Sequence, residues 1–388
     1  MDHAARELDV DPRDLRRRNF IPPAKFPYTS ATGITYDVGE FDKVLTRTEA
    51  EADLAGFAAR RETSKAQGLL RGMGLCYYIE SILGDKDERV KVVFEEDGGV
   101  ALYVGTQSNG QGHETVYAQF LADHTGIPAE AIRVVQGDSD LIARGGGTGG
   151  SRSVTTQNNA TLVAVSTMTS RFKAFLAEEN GVDAAEVEFD DETFRIPGSN
   201  QTPTMLDVAE LARETGREDL LTIAEKGDLE QMSFPNGCHV AEVEIDPETG
   251  VTKVVRYTVV DDFGNLINPM LAEGQVHGGV AQGIGQTITE RVVHDETGQL
   301  LTASYMDYAM PRAYDVPWIT FHSEPTPSLN NPMGMKGCGE AGTVGALAAV
   351  SNAVQDALWE MGVRGVQAPF TPERVWRMLQ EARPGVAA

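Results

Sequence analysis

Cysteine is scarce. Cys76, Cys238 and Cys338 are the only three in 388 residues, too few and too widely spaced for an iron–sulfur cluster, a four-thiolate zinc site or a disulfide framework. Electron carriers for any redox chemistry therefore have to sit on another chain. Positive charge is scarce as well: 33 Lys and Arg stand against 58 Asp and Glu, a net charge of -25. That balance argues against nucleic acid or an anionic membrane surface as partner. No apolar run approaches the roughly 18 residues of a membrane span, and Met1 to Glu7 has neither the charge order nor the apolar core of a signal peptide. A cytoplasmic location is expected. The glycine spacings of a nicotinamide dinucleotide fold and of a P-loop with its lysine are also missing, which sets aside a Rossmann-type cofactor site. What the chain does have is 41% hydrophobic residues, 40 glycines and 18 prolines, a globular composition with room for two or three domains.

Local signals order the chain. Asp11-Pro12 restarts a short N-terminal helix, Asp11 as cap and Pro12 at the first helical position, and Arg16-Arg17-Arg18 follow as a solvated face or a partner contact. A charged, amphipathic helix is expected from about Phe41 to Gly68. From Gly72 the pattern turns to strands. Val90–Phe94 and Val100–Val104 flank a Glu95–Gly99 turn as a hairpin, and Val240–Ile245 and Val254–Val260 flank Asp246–Gly250 as a second. Helices follow through Val116 and Leu121, through Leu162 to Phe175, from Asn268-Pro269, through Leu347 to Met361, and from Thr371-Pro372. Residues 182–235 read as a small excursion of strand and helix. Hairpin, glutamine-glycine segment and helix occur twice, a weak pseudo-repeat.

The chemistry concentrates in glycine-rich loops at strand-to-helix junctions: Gly110 to Thr115, Arg144 to Ser153, and Asn331 to Gly345 with Glu340 its single acid. Glycine lets a backbone approach a ligand closely, and helix N-termini add convergent N–H donors, so an extended ligand with phosphates or many carbonyls is indicated. Gln111 and Gln282 offer an acceptor and a donor each, suited to a heterocycle edge or an oxo group. His113 has no metal-ligand spacing around it. Asp138 and Asp140 read as a turn, and Gly150 to Ser153 lacks the spacing of a nucleophile elbow.

Taken in order, Gly110-Gln111-Gly112-His113-Glu114-Thr115, Gly149-Gly150-Ser151-Arg152-Ser153, Gly274 to Gly283 and Gly334 to Gly342 resemble the molybdopterin-binding large subunit of the xanthine dehydrogenase and aldehyde oxidase family, nearest to the large chain of aerobic carbon monoxide dehydrogenases. Arg16 to Phe20, Phe26-Pro27-Tyr28 and Asp307 to Pro311 fit the same pattern. The resemblance implies an α+β (mixed α/β) fold with two elongated sub-domains of mixed sheets flanked by helices. Residues 1–70 would connect, and 71–235 and 236–388 would each be part of a molybdopterin-binding sub-domain. It implies that Gln111 faces the metal's ligands, with Gly112 and His113 beside it, and that Gly149, Gly150, Ser151, Arg152 and Ser153 hold the pterin phosphate region. Gln275 and Gln282 would meet the pterin, with Lys336, Gly337, Cys338 and Gly339 completing the cradle. Glu340 would be the base that removes a proton at the metal. No side chain would ligate molybdenum; the pterin dithiolene would. The cofactor would be molybdopterin, in its cytosine dinucleotide form, with FAD and [2Fe-2S] on medium and small partner subunits.

The family's large chain is about twice this length. The present sequence thus reads as the C-terminal half of a split or truncated subunit, with the N-terminal half, its substrate pocket and the carbon monoxide dehydrogenase cysteine loop expected on a partner chain. The expected activity is hydroxylation of an aldehyde or N-heterocycle, or carbon monoxide oxidation. Two other readings stay open: a non-catalytic remnant or assembly module, and a metal-independent binder of an anionic ligand.

Overall fold

Both hairpins form where their turn residues place them. In the computed structural model, which describes residues 1–382, Gly98 takes a φ of 85° in the first turn, and Phe94 faces Val100 while Val90 faces Val104. Strand Asp87–Phe94 then buries every second residue, Val90, Val92 and Phe94, the period-2 pattern of a sheet covered on one face. In the second turn Asp246 accepts from Glu248 N (2.9 Å) and the Thr249 hydroxyl (2.8 Å), and Asn236–Ile245 pairs with Thr252–Asp262.

Each hairpin is the middle of a four-stranded mixed sheet. In the first, Ile132–Val135 adds in parallel beside Val100–Val104 and Thr222–Asp228 adds antiparallel beside Asp87–Phe94. In the second, Ile319–Ser323 adds in parallel to Thr252–Asp262 and Leu70–Ile79 antiparallel to Asn236–Ile245. The two sheets thus repeat one pairing pattern, a stronger form of the pseudo-repeat than the sequence carries, although the outer antiparallel strand follows the hairpin in the first sheet and precedes it in the second. Because its partners lie at 236–245, the strand that opens the 71–235 segment is built into the sheet of the 236–388 segment.

Helices cover each sheet. His113–Thr125 and the 28-residue helix Ser153–Asn180 pack on the first, around a core that includes Tyr117, Leu121, Met168, Phe172 and Phe194. Pro269–Ile284 and Ala341–Trp359 serve the second, around Tyr257, Val259, Phe263, Val276, Val350 and Phe370. Helix Ala341–Trp359 lies directly on strand Leu70–Ile79 because Gly72 and Gly74 carry no Cβ: one there would stand 2.1 Å from the carbonyl oxygens of Ala353 and Ala349.

Two expectations change. The single helix from 41 to 68 is two, Phe41–Glu51 and Phe57–Ala66, because Asp53 turns to a φ of 48° and its side chain accepts from Gly56 N. The arginine triplet divides: Arg18 is exposed, as a solvated face expects, whereas Arg16 is buried, bonding the Leu75 carbonyl at 2.9 Å and Asp2 at 2.6 Å, and Arg17 pairs with Asp42 at 2.7 Å and Glu49 at 2.8 Å. These contacts fasten helix Pro12–Asn19, capped by Asp11 as expected, onto the second sheet and helix Phe41–Glu51. Among the described residues no helix is long and apolar enough to cross a membrane.

Candidate functional site

The glycine loops meet around a cavity of about 760 Å³. Four helices begin at it: His113–Thr125 through His113, Ser153–Asn180 through Ser153 and Val154, Pro269–Ile284 through Asn268 and Leu271, and Ala341–Trp359 through Glu340. The first-turn N–H groups of a helix have no intrahelical acceptor and carry the positive end of its dipole. Four such ends around one cavity favour an anionic, acceptor-rich ligand.

Glu340 is placed by Ser151. The Ser151 hydroxyl donates to Glu340 Oε2 at 2.9 Å and accepts from the Glu340 backbone N–H at 3.0 Å. This two-way contact requires the loops to touch: a Cβ on Gly337 would stand 2.2 Å from the Ser151 carbonyl oxygen. Ser151 itself is held at a φ of 56°, a conformation few side chains adopt, so both loops bend to bring serine and glutamate together. Glu340 is the N-cap residue of helix Ala341–Trp359, and its carboxylate does not cap it. The side chain is directed to Ser151 at the cavity instead.

The other expected residues divide. Gln111, His113, Gly149, Gly150, Ser151, Ser153, Gln275, Gln282, Lys336, Cys338, Gly339 and Glu340 all line the cavity. Gln111 folds onto its own loop, accepting from Asn109 N and donating to the Gln107 carbonyl. Gln282 accepts from the Thr343 hydroxyl at 2.9 Å, linking two of the four helices. His113 is buried with its ring 4.9 Å from that of Tyr117 and its Nδ1 unpaired. Burial pushes its pKa down to about 4, so it is neutral at pH 7 and can meet a ligand as donor or acceptor. Cys338 is an apolar lining group: burial pushes its thiol up to about 12, far from the thiolate that binds metal or attacks carbon.

Three expected residues stay out of the lining. Gly112 packs on Leu271. Gly337 makes the close approach to Ser151. Arg152 does not face the ligand space: its guanidinium is buried and donates to the carbonyls of Asp85 (2.8 Å), Gly147 (2.8 Å) and Asp87 (3.0 Å) and to Glu88 (3.1 Å). It braces the glycine loop from behind. Lys336 lines the cavity with its stem, but its ammonium is committed to Asp262 at 2.6 Å, both groups fully buried.

Sequence reasoning passed over Thr148, Asn265 and Asn268, which also line the cavity, and Glu80, which neighbours Ser151. Asn268 carried a signal, the N-cap before Pro269, and it accepts from Leu271 N at 3.1 Å. Burial, with the Glu340 charge adding to it, pushes the Glu80 carboxyl up to about 7. Among the described residues no group of three or more His, Cys, Asp or Glu side chains is placed to hold a metal ion. The donor set, with serine hydroxyls, glutamine amides, four helix ends and an unpaired buried imidazole nitrogen, fits a polar organic anion.

Residues 47–317 match the family described as Molybdopterin cofactor-binding domain. The chain is 34% identical to the carbon monoxide dehydrogenase large chain of Afipia carboxidovorans over 97% of its own length and 49% of the relative's. It is 33% identical to the nicotine 6-hydroxylase large subunit of Paenarthrobacter nicotinovorans over 97% and 48%. Its structure superposes on a Cu,Mo-CO dehydrogenase with a TM-score of 0.90 at 31% identity, covering 98% of this chain and 50% of that one. Against quinoline 2-oxidoreductase from Pseudomonas putida 86 the score is 0.89 at 32% identity, covering 98% and 51%. The chain spans about half the length of the relatives it matches.

Proposed function

The chain belongs to the molybdopterin cofactor-binding family of molybdenum-dependent oxidoreductases, and on that premise we propose that it is the part of a hydroxylase large chain that cradles molybdopterin and presents the reaction's base. The observation that carries this reading is the meeting of three sequence-distant glycine loops and four helix N-termini around one cavity, with Glu340 held at it by Ser151. Bound there, the cofactor would supply the metal centre for two-electron oxidation of the substrate.

This chain's residues would do the rest. The helix ends and the Gly149–Ser153 loop would hold the phosphate, and Gln111, Gln275 and Gln282 would hydrogen-bond the polar edges of the group. His113 would close a buried polar contact that the protein alone leaves open. Glu340, fixed by a hydroxyl and by its own backbone, can accept a proton in the chemical step without searching for its position. The relatives' names span carbon monoxide, nicotine and quinoline, so the substrate class proposed is a small molecule oxidised at an electron-poor carbon. The resemblance to the carbon monoxide dehydrogenase large chain supports the cytosine dinucleotide form of the cofactor. Names such as large chain and large subunit support partners: a chain with the N-terminal half, an FAD-binding medium subunit and a [2Fe-2S] small subunit. With three separated cysteines, this chain holds no cluster of its own.

The test is Glu340→Gln in the assembled enzyme. Fold and cofactor content should be unchanged while turnover falls about 100-fold to 10,000-fold, the usual effect of losing a general base. Turnover near the wild-type rate would reduce Glu340 to a residue that merely starts a helix.

A further inference from the structure

Glu80 follows strand Leu70–Ile79 and neighbours both Ser151 and Glu340, outside the cavity lining. Both its carboxyl oxygens are buried and neither has a hydrogen-bond partner among the described residues. Its polar surroundings are the Ser151 hydroxyl and the Glu340 carboxyl, with the buried Asp261 carboxylate, the Tyr78 hydroxyl and the Cys338 thiol also within electrostatic reach. The hydroxyl donors there are already engaged, and the Cys338 thiol is only a weak donor. Ser151 gives its one proton to Glu340, Tyr78 gives its own to Asp261 at 3.0 Å, and the principal charges acting on Glu80, those of Glu340 and Asp261, are both negative. An ionised carboxylate is acceptor-only, whereas a protonated one brings a donor of its own. A buried anion without donors is the costly state of the two.

We propose that Glu80 is a positioning residue of this site, held as the neutral acid and donating its O–H to the Glu340 carboxylate, so that Glu340 is fixed by both Ser151 and Glu80. The direction of its titration agrees: burial, against the opposing pull of the nearby Ser151 hydroxyl and with the Glu340 charge adding to it, favours the protonated form up to about pH 7. The pairing stands on this chain alone. Its consequence for turnover rests on the reading of Glu340 as base.

Infrared spectroscopy of the full chain, with no cofactor, tests the pairing. At pH 5.5 the wild-type protein should show a carboxylic-acid C=O band that shifts in D₂O and disappears with a midpoint near 7. Glu80→Gln should abolish the band. Glu340→Gln, which removes the negative neighbour while leaving Glu80 intact, should move the midpoint to lower pH, and this second variant keeps the test decisive if the first fails to fold. A spectrum with no such band, or a midpoint that Glu340→Gln does not move, would overturn the pairing. In the assembled enzyme, wild-type turnover should decline roughly tenfold as Glu80 loses its proton, the effect of one hydrogen bond to a charged group. Glu80→Gln, whose amide donates at every pH, should remove that decline, and Glu80→Ala should be slow throughout. Infrared results as predicted with a pH profile that ignores position 80 would uphold the pairing and count against Glu340 as the base.

Discussion

Arg152 shows how a residue in a ligand-binding motif can serve the scaffold. It begins helix Ser153–Asn180 and spreads its guanidinium over three carbonyls and Glu88, with side chains only 2% and 1% exposed. Arg152→Ala would strand a buried carboxylate and should destabilise the chain by about 3 to 5 kcal/mol. Denaturant titration reads this directly, and a loss below about 1 kcal/mol would contradict the brace. Glu80 gives a prediction that depends on pH. Its folded-state pKa lies near 7, above its ordinary value of 4.5, so the folded chain holds a proton there that the unfolded chain releases. Its contribution is complete below about 4.5 and is lost as pH rises through 7. Relative to Glu80→Gln, the wild-type protein should lose up to about 3 kcal/mol of stability between pH 5 and 8. Melting temperatures of the pair measured across that range would run parallel if Glu80 did not titrate. Neither role is visible in sequence: Arg152 looks like its glycine neighbours' partner because Glu88 is 64 residues away, and Glu80 is a lone acid whose neighbours arrive from positions 151 and 340.

Elements were legible wherever their limits are set by local chemistry. Asp11 and Asn268 cap the helices they precede, Gly126 and Gly181 end theirs at positive φ, and both hairpins follow their turn residues. The break at Asp53 escaped because an aspartate at positive φ interrupts an unbroken amphipathic pattern. The docking of strand Leu70–Ile79 escaped because its partners are far along the chain. Packing between elements yields a paired prediction. Helices Pro269–Ile284 and Ala341–Trp359 cross where a Cβ on Gly342 would stand 2.4 Å from the Val276 carbonyl oxygen, whereas at Gly278 nothing lies within 4 Å. Gly342→Ala should cost about 1 to 3 kcal/mol by forcing the helices apart, and Gly278→Ala should add up to about 1 kcal/mol through helix propensity. Thermal unfolding of both variants checks the crossing; equal shifts of the same sign would refute it.

At the scale of the molecule, the two sheets of like pairing pattern hold the cavity between loops that both sub-structures supply. Gln111 and Ser151 arrive from the first sheet's side, and Gln282 and Glu340 from the second's. The cavity is open, Glu340 remains exposed, and Tyr305, Met306, Tyr314 and Trp318 stand almost wholly exposed along the segment after Thr289. The relatives are about twice as long, and the proposed function has the cradle completed by a second chain. The composition made the class of ligand readable, because glycine loops are counted directly. The substrate was not readable, since relatives of nearly equal identity carry names that span carbon monoxide, nicotine and quinoline. The central claim is that these loops are one part of a molybdopterin cradle. Molybdenum and pterin content, measured on the full chain purified alone and after co-production with a chain bearing the N-terminal half, tests it most directly. The account predicts little of either in the isolated chain and stoichiometric amounts of both in the complex; a complex that forms without molybdenum or pterin, or an isolated chain fully loaded with both, would contradict it.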